Sequence, residues 1–458
     1  MSNFLFPIET TARELDFKIM MSVLMAKKDR TIYVGDQQFI RTLSKVLKGG
    51  VFYGKHLFGK PMFSDKKYYT RLKERNFKIV HLNEEGAVWP GGEKEWEYLM
   101  KQSERPSVLE KDDFMAVWGE WQKNFDESYE KVEATIEVTG HPRFDLYNEK
   151  YKSYFANETE QLTKKYGDYI LVNTAFSYAN NGEDGVNFIF KPTISYNSKD
   201  IDHRKYRFTR WKNQMFSVAD IVNLINEISL KHPDKKIILR PHPSENTDYY
   251  KAIFQNIDNV FVIYNGAVAP WILGCKLLIH NGCTTAIEAT LANKPVINYS
   301  SNGDKDFDIY LANICGVTLS DTKEALDYID KVYDNKVKVI VPNDEKANKL
   351  FYNFQSSDTA SLNKKLLEKA DNLVETNNIQ SLSNVLLKLL SIYHKIYLFL
   401  KYSYFFFKGK YKNYLDYKKR FVGFDNEVVE KVKRMANLLD IDVEVVLVSK
   451  HLFYVKKR

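Results

Sequence analysis

The stretch KLLIHNGCTTAIEATLANKPVIN, residues 276–298, reads as strand, turn, helix and strand. An apolar run ends in His280-Asn281-Gly282, Cys283-Thr284-Thr285 opens a helix with Glu288 one turn in, and the chain returns as Pro295-Val296-Ile297-Asn298. A helix this short between two apolar strands is the signature of a βαβ unit, and so of a parallel sheet covered on both faces. Gly282 permits a tight turn or a close backbone approach. The hydroxyls of Thr284 and Thr285, with Asn281 and the first unpaired helix N–H groups, favour a phosphate. The alternative is an ordinary N-cap by one of the threonines. Glu288 beside an anion is repulsive unless it holds a sugar hydroxyl or anchors a loop.

About 40 residues upstream lies a second polar strand end, KIILRPHPSEN, residues 236–246. Two prolines fix the backbone and remove two donors, so this segment continues neither sheet nor helix. It is a stiff elbow that mounts Arg240, His242 and Ser244 at the carboxyl end of a strand and suits an anion; the alternative is a plain loop. DYILVNTAF ends a further strand at Asn173, NVFVIYNG is another, and SVADIVNLINEISLKHPD reads as a helix capped at Ser217. Asparagines such as Asn173, Asn180 and Asn181 suit hydroxyl or base recognition, and they equally suit turns. The His232-Pro233 pair falls in a helix-terminal turn and is structural.

The first 150 or so residues repeat the plan. NFLFPIE, TIYVGD, FKIVHLNEEG and ATIEVTGHPRFD read as strands, with helical patterning after the first and across residues 94–130. Two consecutive α/β halves predict two Rossmann-like domains facing one another across a cleft, with ligands beyond the strands' carboxyl ends. Residues 1–155 form the first domain, 156–345 the second, and 346–458 a helical extension.

Composition narrows the class. The 458 residues are 44% hydrophobic and 28% charged, as in a globular protein of two domains or more. The three cysteines have neither metal-ligand spacing nor a paired framework, and the start carries Glu9, Glu14 and Asp16 where a leader would be basic and apolar, so a cytoplasmic protein is expected. The net charge of +8 is modest, and its lysines form no stripe in either α/β half, which argues against nucleic acid as a partner. The extension differs: residues 395–420 hold eight Lys or Arg against Asp416, interleaved with Tyr and Phe. That pattern docks on the anionic inner face of a membrane, or its aromatic stripe packs inward and its lysines are solvated.

Several of these stretches carry a resemblance. FPIETTARELDFK, LNEEG, TGHPRFD, ILVNTAFSYANN, LRPHPSEN and HNGCTTAIEATLANKPVIN together resemble the bacterial surface carbohydrate biosynthesis proteins, which are GT-B-like glycosyltransferases. More distantly they are similar to capsule Kdo transferases and bacterial sialyltransferases. The resemblance covers about residues 1–300 and leaves the basic, aromatic tail outside it. It implies an α/β, GT-B-like enzyme that builds capsule or O-antigen. Its donor is a nucleotide sugar, plausibly a CMP-activated ulosonic acid, and its acceptor is a lipid-linked or other glycan. The acidic residue before glycine implies Glu85 as catalytic carboxylate, and the His-Pro histidine, His242, implies a phosphate contact, as does the Thr284–Thr285 pair. Two departures stand out: Glu-Glu replaces a frequent Asp, and Thr-Thr a frequent Ser. A second His-Pro, His141-Pro142, also occurs, so His141, Arg143 and Asp145 read as either hinge or site.

Sugar transfer needs a base or nucleophile and neutralisation of the leaving phosphate. Glu85 suits the first need, with Glu84 a second catalytic candidate that is also expected to raise the pKa of Glu85 by like-charge repulsion; alternatively one carboxylate caps a segment and neither reacts. Arg240 and His242 suit the second need, with no DxD-like metal site and no cofactor expected. Glu9, Arg13 and Asp16 line the acceptor side or form a surface group, with Arg13 and Asp16 spaced to pair. Other readings on the same architecture are a UDP-sugar transferase, a sugar-nucleotide 2-epimerase and a CDP-polyol phosphotransferase. A non-catalytic nucleotide-binding scaffold subunit of an assembly complex is the reading from another class.

Overall fold

A computed structural model describes residues 2–55, 57, 66–103, 106–182, 184–191, 196–300, 305–356, 358–409 and 412–458. Strands β1 (Ser2–Ile8), β2 (Arg30–Asp36), β3 (Gly50–Gly54), β4 (Phe77–Leu82), β5 (Phe114–Val117) and β6 (Thr135–Val138) come first, with helix α1 (Thr11–Met25) after β1. They pair in parallel in the order β2-β1-β3-β4-β5-β6. Every residue of β1, β2 and β3 is buried, which is why these strands read as unbroken apolar runs rather than alternating ones. The expected helical patterning over residues 94–130 is corrected: helices α2 (Glu93–Ser103) and α3 (Glu120–Tyr129) flank β5, whose Phe-Met-Ala-Val is too short and too buried to announce a strand.

Helix α4 (Ala156–Tyr166) leads into β7 (Ile170–Asn173). Then follow helix α5 (Ile201–Lys231), β8 (Ile237–Arg240), β9 (Val260–Val262), helix α6 (Ala269–Gly274), β10 (Leu277–His280), helix α7 (Thr285–Leu291), β11 (Val296–Tyr299) and β12 (Val317–Leu319). These strands form an all-parallel sheet ordered β12-β11-β10-β7-β8-β9. By chain order this is 6-5-4-1-2-3, the arrangement of a doubly wound nucleotide-binding sheet, with its switch point at β7. Helix α5 starts at Ile201 behind an Asp200 cap, so the expected cap at Ser217 lies in mid-helix. His232 closes that helix, as expected of a terminal turn.

The C-terminal region is helical as expected, with α8 (Thr359–Asn372), α9 (Asn384–Phe407), α10 (Lys412–Arg420) and α11 (Asn426–Leu439). It then ends in a hairpin, β13 (Val443–Ser449) and β14 (Leu452–Lys457), which sequence reading did not place. Strand β14 pairs antiparallel with β2, Phe453 opposite Val34, and so covers what would be an open sheet edge. Residues 1–87, 99–146 and 348–458 make one compact unit, and residues 88–98 and 147–347 a second. Polar ties fasten the C-terminal segment within the first unit. Arg30 pairs with Asp371 at 2.7 Å, and Asp145 accepts from the Ala360 N–H at 2.7 Å and from the Thr359 hydroxyl. No helix among the described residues is long and apolar enough to cross a membrane.

Phe453 is fully buried against the β2 edge and Phe424. Phe453→Ala is expected to destabilise the first unit by about 3 kcal/mol or more through a cavity at this seam, read as a lower urea midpoint; an unchanged midpoint would show the hairpin to be ornamental.

Candidate functional site

In the second unit, the polar loops after β8 and β10 flank the end of β7, the strand at the switch point. The proline elbow after β8 is built on Glu245, which is 1% exposed. Glu245 Oε1 accepts from the Thr174 hydroxyl at 2.8 Å, the Phe176 N–H at 3.0 Å and the His242 N–H at 3.1 Å. Its Oε2 accepts from the Tyr250 hydroxyl at 2.7 Å. Burial raises the carboxyl's pKa against the pull of these four donors. One buried side chain therefore locks the β7 and β8 loops together. The His242 ring is exposed, and its Nδ1 accepts from the Ser244 N–H at 3.2 Å and meets the Ser244 hydroxyl at 2.6 Å. With Nδ1 accepting, the proton of the neutral ring sits on Nε2.

Arg240, expected to meet the anion beside His242, is buried instead. Its Nη1 donates to the Asn265 carbonyl at 2.8 Å and its Nη2 to the Gly266 carbonyl at 3.2 Å, while its guanidinium centre lies 5.1 Å from the Trp271 ring. Burial lowers its pKa to about 10, so it stays charged. It braces the loop after β9.

Across β10, Gly282 has φ +61°, a left-handed turn that glycine adopts freely. Thr284 sits at the cap of α7 but its side chain makes no capping bond. Asn173 Nδ2 donates to the Thr285 hydroxyl at 3.0 Å, tying β7 to α7. Asn281 Nδ2 donates to the Tyr299 carbonyl at 2.8 Å, and Glu288 is buried in α7. Register places Arg240, Asn173, His280 and Asn298 side by side across four strands, each at most 5% exposed. His280 Nδ1 accepts from the Cys283 N–H at 3.1 Å, and burial lowers the ring's pKa to about 3. Among the described residues, His280 Nε2, Asn173 Oδ1 and Asn298 Oδ1 find no hydrogen-bond partner.

In the first unit the carboxylates gather after β4. Glu84 is 6% exposed and faces three cations or donors: His141 Nε2 at 3.3 Å, Arg143 Nη1 at 3.4 Å and Arg13 Nε at 3.7 Å. His141 Nδ1 accepts the Arg143 N–H at 3.0 Å, so the ring donates to Glu84 through Nε2. Burial lowers the His141 pKa to about 4 despite Glu84. Burial opposes the charge on Glu84, but coupling to His141, then Lys55 and Arg13, holds its carboxyl well below the usual range. Glu85, with 63% of its side chain exposed, pairs with Arg13. Desolvation works against its charge, and the Arg13 charge and hydrogen bond overcome it, so its pKa is also lowered. The expected upward shift from like-charge repulsion is thereby corrected: the Arg13 guanidinium, with Lys55 and Arg143, outweighs one neighbouring carboxylate.

Arg13 and Asp16 do not pair with each other. Arg13 serves the Glu84–Glu85 pair, and Asp16 meets Lys431 at 3.1 Å. Glu9 faces Lys55 at 3.0 Å and Arg420 at 2.8 Å. Sequence reading missed Glu14, whose carboxylate accepts from the Glu9 and Thr10 N–H groups at 3.1 and 3.3 Å and meets Lys55 at 2.9 Å. It missed Lys18 too, buried with its ammonium 2.8 Å from the Tyr53 carbonyl and its pKa lowered by burial to about 8. No spacing distinguishes either residue from its neighbours on α1. Glu245 did carry a signal, an acid three residues beyond the His-Pro histidine.

No family model matches this chain, and neither does any curated protein. Among solved structures, it is similar to the wall teichoic acid polymerase TagF at 11% identity, over 81% of this chain and 88% of that one, with a TM-score of 0.47. It is similar to the UDP-GlcNAc 2-epimerase from Neisseria meningitidis at 13% identity, over 80% of this chain and all 100% of that one, with a TM-score of 0.49. The S. aureus MnaA structure with UDP matches at 11% identity, 82% and 98% coverage, and a TM-score of 0.47.

Two outcomes are expected. Glu245→Ala strands four donors and should cost about 3 kcal/mol or more, visible as a fall in the thermal midpoint. His141 binds its proton less readily folded than free, burial lowering its pKa from 6.5 to about 4, so the unfolded state gains protons first as pH falls. Its contribution, on the order of 3 kcal/mol, is present above pH 6.5 and lost on descent to pH 4. Urea titrations across that window should show a shallower pH slope in His141→Gln, and an unaltered slope would refute the assignment.

Proposed function

We propose that this chain is a nucleotide-sugar-dependent glycosyltransferase of bacterial surface polysaccharide biosynthesis, with a CMP-activated ulosonic acid as donor. The observation that carries the reading is the second unit's strand order, with His242 and the Gly282–Thr285 turn on either side of its switch point. In this reading His242 donates Nε2–H to the donor's phosphate, and Ser244 holds the ring in that tautomer. The Thr284 and Thr285 hydroxyls add neutral donors. Arg240 contributes indirectly, by bracing the neighbouring loop.

The carboxylates of the first unit supply the base. The acceptor hydroxyl oxygen bonds to the anomeric carbon as the bond from that carbon to the phosphate oxygen breaks. The leaving nucleotide takes the bonding pair, and Glu85 takes the hydroxyl proton. Arg13 keeps Glu85 ionised and ready to accept it, and buried Glu84 fixes Arg13 and Arg143 in position. No metal is required for this transfer, since hydrogen-bond donors meet the leaving group.

The acceptor is a lipid-linked or other glycan, and α9 supports a place on the membrane's inner face. Its inward stripe holds Leu387, His394, Leu398 and Tyr402, while Leu389, Ile392, Ile396, Phe399 and Phe407 face outward, Phe399 at 71% and Phe407 at 84% exposed. Its 24 residues include lysines and no acid. An apolar outer face with flanking cations lies in a lipid interface rather than across it.

Binding of CMP, UDP, CDP and GDP to the purified chain tests the donor. CMP is expected to bind selectively, with His242→Ala weakening it at least tenfold, whereas selective UDP binding would replace the donor assignment. Glu85→Gln should keep nucleotide affinity and lower turnover by roughly a hundredfold or more; full turnover would remove Glu85 from the chemistry. Ile396→Asp with Phe399→Asp should abolish sedimentation with anionic vesicles, and unchanged sedimentation would reject the lipid face.

A further inference from the structure

A second cluster of chemistry-bearing side chains lies in the first unit, away from Glu84 and Glu85. Asp36 at the end of β2, His394 in the middle of α9 and His451 in the β13–β14 turn come together, all buried, with ligand atoms within 4.8 Å of one another. His394 Nε2 stands 3.3 Å from Asp36 Oδ2, and His451 Nδ1 stands 3.7 Å from the same oxygen. Charge-assisted N–H···O bonds close to about 2.7–2.9 Å, so these separations are loose for protons. They suit the edges of a metal polyhedron. Bonds of about 2.0–2.2 Å at tetrahedral angles put neighbouring donor atoms about 3.4 Å apart.

The surroundings hold the three donors in place. Asp36 Oδ1 is engaged by the Gln38 N–H at 3.2 Å, which leaves Oδ2 for the cluster. The Tyr417 hydroxyl donates to Oδ2 at 2.9 Å and lies 3.3 Å from His451 Nδ1. The Asp36 N–H donates to the His451 carbonyl at 3.0 Å, so the strand and the hairpin turn cannot drift apart. Phe39 packs edge-to-face on the His394 ring at 4.8 Å, and Phe421 stacks on His451 at 5.7 Å. Asp36 and Tyr417 also line a cavity of about 300 Å³ with Glu9, Gln38, Lys401 and Arg420. One feature opposes a metal: among the described residues His394 Nδ1 is buried without a partner, so coordination through Nε2 leaves the ring N–H unmet. The metal bond must outweigh that cost.

We propose that Asp36 Oδ2, His394 Nε2 and His451 Nδ1 bind one divalent transition-metal ion, zinc by donor set and spacing, with Tyr417 as the hydrogen-bonding partner that orients Asp36. Two imidazoles and a carboxylate suit zinc better than magnesium or calcium, which favour all-oxygen shells. The ion is structural. It pins α9 and the C-terminal hairpin to the end of β2, closing chain separations of about 360 and 415 residues beside the β14–β2 ladder. It takes no part in the proposed transfer.

The full chain, stripped with a chelator, should bind one equivalent of Co²⁺ with the visible absorption of a four-coordinate site. Zn²⁺ should displace the cobalt and raise the thermal midpoint. His394→Gln and His451→Gln should each weaken Zn²⁺ binding at least tenfold. Absence of Co²⁺ and Zn²⁺ binding by the wild-type chain would overturn the proposal, as would unweakened binding in both variants. Should the variants fail to fold, X-ray absorption of the zinc-loaded wild type decides: two imidazoles in a nitrogen–oxygen shell support the site, and sulfur ligation or fewer imidazoles overturns it.

Discussion

A carboxylate taken out of water must be met by donors on nearly every side, and that requirement organises both units. Glu14, Asp36, Glu84 and Asp145 in the first unit and Glu245 in the second each lie at or just beyond a strand's carboxyl end. Each collects donors from segments far apart in sequence. Glu245 gathers a hydroxyl and an N–H from the β7 loop, an N–H from the β8 elbow and the Tyr250 hydroxyl. Asp145 gathers a hydroxyl and an N–H from the start of α8. Parallel sheets make this possible because all their carboxyl ends open on the same side. The strands supply rigidity and the buried acids fix the loops, so an exposed group such as His242 stands on a mount with little freedom.

The same economy explains the electrostatics after β4. Glu84 is buried and surrounded by Arg13, Arg143 and His141. Glu85 is exposed and shares Arg13, so it stays ionised while remaining reachable. Two adjacent carboxylates thus both stay ionised, because the cations around them outweigh their mutual repulsion. His141 stays neutral in this company because burial dominates its titration. A neutral imidazole donating one hydrogen bond costs less to bury than an imidazolium would, even beside a carboxylate.

Much of this was readable from the chain. The buried parallel strands announce themselves as apolar runs, and the βαβ pattern around residues 276–298 fixes the second sheet's class. Strands β3, β5 and β12 were not placed; β7 to β11 are no longer than β3, so length alone does not separate the strands that were read from those that were missed. The hairpin carries a signal in VEVVLVS and LFYVKK, which the aromatic, lysine-rich helix before it overshadowed. The proline elbow was recognised as a mount, but the jobs of its two cations were not separable. Arg240 points inward to carbonyls and His242 outward only because register puts Arg240 on the buried face, beside Asn173. No motif encodes that. Glu84 and Glu85 likewise look equivalent in sequence, and they differ solely because Glu84 turns into the protein and Glu85 out of it.

Helix α9 shows how composition and structure divide one segment between two tasks. Its apolar content is high enough to invite a membrane span, yet Lys388, Lys395 and Lys401 interrupt the run. The structure resolves the conflict by facing. Leu387, His394, Leu398 and Tyr402 recur at intervals of seven, four and four, a stripe that packs into the first unit. The opposite stripe is equally apolar and stays exposed, which a helix devoted to the core alone has no reason to keep. Since the inner stripe delivers His394 to Asp36 while the outer one faces away from the protein, anything that seats the outer stripe also steadies the cluster beneath it.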